Sequence, residues 1–278
     1  MQKIKIFLLA IPFICFSCHE TIVPITIIQP EGDRVVLMEE FSGGSCVPCA
    51  NAHAEIQNLL AVYPDNLIVI TMHTFVGGQG NPVPGSTYDF RNQEAHDILE
   101  NLGYPEVIPS GIINRKLFDT EPDLQLGLPS WPGYIASEVE IQPKLSVYVE
   151  NEYDQNTRNL VIRVNLLPLE DLQGDLRLTV VITESGIINK QQTPDGVVDD
   201  YVHNHIFRDA ISSTEGDVLG TLKSQEEKLV TYSYTLPEAD GSGPWIPENC
   251  EIIAFVSYAG QGGGIKDVLQ AGHAKVIE

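Results

Sequence analysis

The sequence predicts an α/β domain followed by an all-β domain. Three observations carry this expectation. Residues 35–56 read as an apolar strand (35–41), a Gly-rich turn (42–45) and a helix that opens with Cys46 and Cys49. Up to residue 142, apolar strand runs alternate with stripes at helical spacing. From Pro143 onward the period changes to two, and short strands are separated by turn residues.

The first strand and helix set the chemistry. Two cysteines three residues apart on a first helical turn are close enough for a disulfide. The partial positive charge of a helix N-terminus stabilises a thiolate at Cys46. Pro48 fits the first turn, where no amide donor is needed. A C-x-x-C between a strand and a helix is the thioredoxin-like signature, so residues 34–142 are expected to be an α/β thioredoxin-like domain. The helix should run over 46–62, with Ala52, Ile56, Leu59 and Leu60 forming its buried stripe. Residues 67–74 read as a second buried strand. Residues 75–87 hold four glycines and two prolines and form a long loop, the kind that tends to carry function. A helix over 88–102 presents Ala95, Ile98, Leu99 and Leu102 and ends at Gly103. Pro109 then opens a strand over 110–114, and a last helix covers 129–141 with Ser130 as its cap. Thioredoxin-like proteins place a cis-proline at this point, facing the C-x-x-C. The resemblance therefore makes Pro109 that residue, with Ile108 presenting backbone to a substrate.

Residues 143–278 are expected to form an immunoglobulin- or fibronectin-like β-sandwich. Strands are predicted at 144–150, 159–166, 175–183, 228–236, 251–258 and 268–277, with an irregular polar insertion near 187–214. In an extended insertion His203 and His205 would point the same way, a spacing that can bind a metal. No third ligand is identifiable, so these rings are read as pinning the insertion. Cys250, alone in a β run, is read as a small buried apolar residue.

The run Leu37-Met-Glu-Glu-Phe-Ser-Gly-x-x-Cys-x-x-Cys49 and the segment Tyr201-Val-His-Asn-His-Ile-Phe-Arg208 resemble the Omp28-related outer-membrane lipoproteins of Bacteroidetes. The resemblance spans nearly all of the mature chain. It implies a thioredoxin-like domain joined to a C-terminal β domain and says more about fold than about activity.

The compartment follows from the N-terminus. Lys3 and Lys5 precede an apolar run over 6–16, so residues 1–17 read as a secretory signal, too short to span a bilayer comfortably. Ser17-Cys18 resembles a lipobox, from which Phe16 departs, and places a lipid on Cys18 with residues 18–33 as a tether. The expected location is the cell envelope, as an outer-membrane lipoprotein facing either the periplasm or the surface. The chain has 278 residues, 43% of them hydrophobic, and a net charge of -22. That acidity argues against nucleic acid and against anionic membrane surfaces, which leaves the lipid as the membrane contact.

Three readings of the site follow. In the first, Cys46 attacks, Cys49 resolves and Pro109 holds a substrate strand, giving thiol-disulfide exchange on envelope proteins that carry cysteines. Ser45 and Val47 stand where reducing thioredoxins carry Trp and Gly, which leaves the redox direction open. Glu39 or Glu40 would shuttle protons, only one of them facing inward because a strand alternates. In the second, the C-x-x-C is a structural disulfide in a non-catalytic binding or assembly lipoprotein with an unknown surface ligand. In the third, Cys46, Cys49 and His53 bind a metal such as copper. The first two readings require no cofactor or metal.

Overall fold

The apolar runs of the first half form β1 (Val36–Ser42), α1 (Cys49–Val62), β2 (Leu67–His73), α2 (Gln93–Leu102), β3 (Ser110–Ile113) and α3 (Trp131–Val139) in this computed structural model. It describes residues 33–75, 77–103, 107–260 and 266–277. The expected signal, Cys18 and the tether up to residue 32 lie outside these residues. Among the described residues no helix is long and apolar enough to cross a membrane.

The helices start later than expected. Pro48 caps α1, so Cys46 lies in the preceding turn rather than on the first helical turn. The Gly43-Gly44 turn occupies the chain after β1, and Pro48 disfavours helical backbone at the residue before it, so the winding starts at Pro48. Helix α2 begins only after Asn92, whose side chain accepts from the Glu94 and Ala95 amides. Helix α3 follows a 3-10 turn at Leu128–Ser130, and Ser130 precedes it without a side-chain capping bond.

Among the described residues, the regular structure of the second half is strands apart from a 3-10 turn at Pro247–Asn249. Its strands are β4 (Leu145–Asp154), β5 (Asn159–Pro168), β6 (Leu176–Glu184), β7 (Ile187–Thr193), β8 (Gly196–His203), β9 (Ile206–Ala210), β10 (Asp217–Val218), β11 (Lys228–Thr235), β12 (Ala239–Asp240), β13 (Gly243–Pro244), β14 (Cys250–Tyr258) and β15 (Val268–Lys275). The polar insertion expected near 187–214 is not irregular. It folds as the β7–β8 hairpin followed by β9.

The expected fold class needs correction. Strands make up 43% of the chain and helix only 18%, which does not fit an α/β thioredoxin-like domain. Nor do the later strands close a separate sandwich. An eight-stranded sheet runs β15-β14-β6-β9-β2-β1-β3, with β10 beside β6. Strand β9 bridges the halves: it lies parallel to β2 through Thr71 and Ile206 and antiparallel to β6. The Thr71 amide donates to the His205 carbonyl at 2.8 Å. A period of two shows that a segment is a strand but not which edge it joins, so the sequence pattern is the same for one sheet or two. Gly32–Glu278 is one compact unit.

The three largest apolar clusters among the described residues hold the sheet. One lies between β6, β14 and the three-stranded sheet β11-β5-β4. A second packs α2 and both cysteines of the C-x-x-C against residues from both halves, among them Phe41, Ile70, Phe207 and Phe255. The third places α1 and α3 on Val36, Met38 and Val69.

Candidate functional site: a buried disulfide and a histidine cluster

Two glycines, a proline and two cysteines follow β1. Cys46 and Cys49 form a disulfide with Cα atoms 5.4 Å apart. The Cys46 amide donates to the Gly43 carbonyl, and the Cys49 amide to the Cys46 carbonyl. Both cysteines are 0% exposed.

The long loop and the hairpin produce that burial. From the loop, the Asn81 carbonyl accepts from the Ser45 amide at 2.9 Å. The loop lies so close that a Cβ on Gly43 would meet the Gln79 carbonyl oxygen at 2.3 Å, which requires glycine there. From β7, the Gln192 amide donates to the Gly44 carbonyl at 2.9 Å. The Gln191 Nε2 donates to the Gly43 and Cys46 carbonyls at 3.2 and 3.1 Å. Gln191 is itself 0% exposed. Nothing in the sequence singles it out, because a glutamine in a polar stretch has no recognisable pattern.

The Ile108–Pro109 peptide is cis. Ile108 belongs to the same apolar cluster as the two cysteines, and Ser110 directly after Pro109 pairs with Phe41 at the end of β1.

The two carboxylates of β1 have different environments. The expectation that only one faces inward is corrected: both faces of β1 are covered, and Glu39 and Glu40 are both buried. Arg115 grips Glu39 with two hydrogen bonds of 2.8 and 2.6 Å and stacks over Phe255 at 4.7 Å. Glu40 lies on the opposite face and has no hydrogen-bond partner of good geometry for either oxygen. Burial pushes its carboxyl up to about 8, with the Thr71 and Ser42 hydroxyls nearby pulling the other way.

Beside Glu40 stands a cluster of histidines. The ladder sets Ser42 against His73 and Glu40 against Thr71, at the carboxyl ends of the parallel pair β1 and β2. From α1, the His53 Nε2 bonds to the Ser42 Oγ at 2.9 Å and lies 3.8 Å from the Glu40 Oε1. Its Nδ1 bonds to the Tyr201 hydroxyl of β8 at 2.9 Å. His203, also from β8, has its ring centroid 5.8 Å from that of His73 and 6.4 Å from that of His53. Neither ring nitrogen of His203 makes a hydrogen bond, nor does the His73 Nε2. The backbone of Lys190 and Asn189 faces the His203 ring without closing a bond of good geometry. Burial, then neighbouring histidines, pushes His53 down to about 4 and His203 down to about 3, and holds His73 well below the usual imidazole range. The rings are therefore neutral at pH 7. A cavity of about 390 Å³ opens onto His53, Tyr201 and His203.

The expected histidine roles change accordingly. His203 and His205 do not point the same way along an extended segment. His205 has a φ of 57°, and its amide donates to the Ser185 hydroxyl as the chain turns from β8 into β9. His53 faces Ser42, Glu40 and Tyr201, and the cysteines are spent on one another, which removes the Cys46, Cys49 and His53 metal set. As the side chains stand, no three His, Cys, Asp or Glu among the described residues are arranged to hold a metal ion. Cys250 is free and buried, with its thiol pushed up by burial and by the charge of Glu184.

Arg208, the last residue of the Tyr201–Arg208 segment, is fully buried. It donates to Glu184 at 2.5 Å and to the Gly243 carbonyl at 3.1 Å, and stacks over Trp245 at 4.4 Å. That segment thus supplies the hydroxyl on His53, the bridging strand β9 and the guanidinium that ties β9 to β6 and β13.

Among solved structures, the chain is similar to HBP35 of Porphyromonas gingivalis, at 16% identity with a TM-score of 0.68, over 87% of this chain and 75% of that one. It is also similar to a protein of Agrobacterium tumefaciens, at 10% identity with a TM-score of 0.52, over 89% and 97%. Both likenesses concern the fold. No curated protein matches the chain. The family described as outer membrane protein Omp28 matches residues 104–276, which include β3, all of the second half and the Tyr201–Arg208 segment. The chain belongs to the outer membrane protein Omp28 family.

Proposed function

We propose that this protein is a non-catalytic binding or assembly protein of the cell envelope, in which Cys46–Cys49 is a structural disulfide. The observation that carries the reading is the burial of both sulfurs beneath the 75–87 loop and the β7–β8 hairpin. Exchange requires an attacking thiolate that a substrate disulfide can reach, whereas buried structural cysteines are inert. Here the Gln191 side chain covers the turn that holds the disulfide by donating to the Cys46 carbonyl. The disulfide fixes the turn to which the hairpin is bonded, so its role is to brace that junction. Membership of the Omp28 family supports an outer-membrane location. In this reading, lipid on Cys18 anchors the protein and its partner is an envelope or surface ligand.

The test is reduction of the native protein by dithiothreitol, followed by thiol alkylation. A brace resists reduction until denaturant is added and does not accelerate insulin reduction. Rapid reduction of the native fold together with catalysis of insulin reduction would overturn the reading.

A further inference from the structure

We propose that the cavity between α1 and the turn from β8 into β9 binds an uncharged, largely apolar small molecule that carries a hydroxyl or amide group. The cavity follows from what α1 presents on each face. Ala52, Ile56 and Leu59 pack into the apolar layer with Val36 and Val69. Ala50, His53, Ala54 and Gln57 recur at helical spacing and line the cavity. Two alanines at this face, rather than longer side chains, leave the space open. The rest of the wall comes from Thr71 of β2, from Tyr201 and Val202 of β8, and from the turn into Ile206. The space is about 390 Å³, within the range of about 300–1,000 Å³ that small-molecule sites occupy.

The chemistry of the wall selects the occupant. Of the described residues that line the cavity, none is Asp, Glu, Lys or Arg, although 19% of the chain is charged. Its histidines, His53, His203 and His205, are held below the usual imidazole range, chiefly by burial, and are uncharged at pH 7. Glu40 stands behind His53, 3.8 Å from the Nε2, with its carboxyl raised by burial to about 8. A charged occupant would therefore leave water for a wall without a counter-charge, which is unfavourable. Polar contacts are still on offer. The Tyr201 hydroxyl spends one bonding position on the His53 Nδ1 and keeps another. The Asn204 Oδ1 accepts from the Gly186 amide, so its NH2 is the end left to donate.

The wall is mounted on the junction that the disulfide braces. Strand β8 pairs with β7, and β7 is bonded through Gln191 and Gln192 to the turn that holds the cysteines. The inference deepens the reading of a binding protein and rests on it.

The experiment titrates the chain, disulfide intact, at pH 7 with 2-naphthol, read by the fluorescence of the probe. Two charged relatives of the same ring, 2-naphthoate and 2-(aminomethyl)naphthalene, are titrated alongside. The expected result is saturable one-to-one binding of 2-naphthol, with both charged probes weaker by about tenfold or more. A54W sets an indole at the cavity from an exposed helical position and should weaken 2-naphthol by about tenfold or more. Y201F removes only the hydroxyl and should weaken it about fivefold. If A54W does not fold, Y201F carries the comparison. Absence of saturable 2-naphthol binding, equal binding of a charged probe, or binding unchanged by both variants would overturn the site. Dithiothreitol treatment and alkylation of the same sample read the disulfide separately. A resistant disulfide in a chain that binds no 2-naphthol strikes this site and leaves the brace, whereas rapid native-state reduction strikes the brace.

Discussion

Arg115 and Glu39 show how much a single pair can carry. The two are nearly buried, doubly hydrogen-bonded, and stacked against Phe255 from the other half of the chain. Removing the guanidinium leaves a buried carboxylate without its counter-charge. R115A should therefore cost about 3–5 kcal/mol in urea unfolding, and a loss below about 1 kcal/mol would contradict the pairing. A second residue, Glu94 at the start of α2, sets a pH dependence. Burial and then the neighbouring Asp209 push its carboxyl from 4.5 up to about 7, while its Oε2 accepts from the Ala210 amide at 2.8 Å. A raised carboxyl favours the folded state while protonated. Its contribution is full below pH 4.5 and is lost as the pH rises through about 7. E94Q should flatten the fall of the urea midpoint over that window; an unchanged slope would contradict the assignment.

At the scale of elements, the hairpin β7–β8 and the cap of α2 are the informative parts. Q191A removes the donors to the Gly43 and Cys46 carbonyls, so native-state reduction of the disulfide should become faster than in the unaltered chain, as read by alkylation over time. N92A removes the acceptor for the Glu94 and Ala95 amides and should cost about 1 kcal/mol. Much at this scale was legible in the sequence. The apolar run at 159–166, the alternation at 228–236 and the stripe Ala95, Ile98, Leu99 and Leu102 all mark real elements, because burial leaves its period in the sequence. The hairpin was not legible. Strand β8 (Gly196–His203) is mostly exposed, and its pairing with β7 is fixed by backbone bonds and by the Thr193 hydroxyl, which donates to the Gly196 carbonyl, rather than by an apolar pattern. The histidine cluster was half legible. His53 and His203 stood out as residue types, but Glu40 and His73 join them only through the β1–β2 ladder.

For the whole molecule, the shared sheet determines how the protein unfolds. Strand β9 ties β2 to β6, and the cluster around Phe41 and Phe255 draws on both halves. The halves should unfold together. Trp131 in the first half and Trp245 in the second are the chain's two tryptophans, both buried. The variants W131F and W245F each leave one reporter, and the two fluorescence transitions in urea should coincide. Separate midpoints would mean that the sheet does not couple the halves. A pattern of periods could not foresee this, since the edge at which two strands meet is decided by single contacts such as that of Thr71 with His205.

If the Cys46–Cys49 disulfide braces a junction and does not exchange, it must resist reduction in the folded protein. Its reduction potential decides this, obtained by equilibrating the folded protein with thiol-disulfide buffers and trapping the free thiols. A brace should have a potential below about -300 mV, the range of structural disulfides. Its loss in the C46S/C49S variant should cost only about 2 kcal/mol, because the closed loop is so short. A potential between about -120 and -270 mV, where exchange catalysts lie, would mean that the disulfide is not a brace and that the protein is an oxidoreductase.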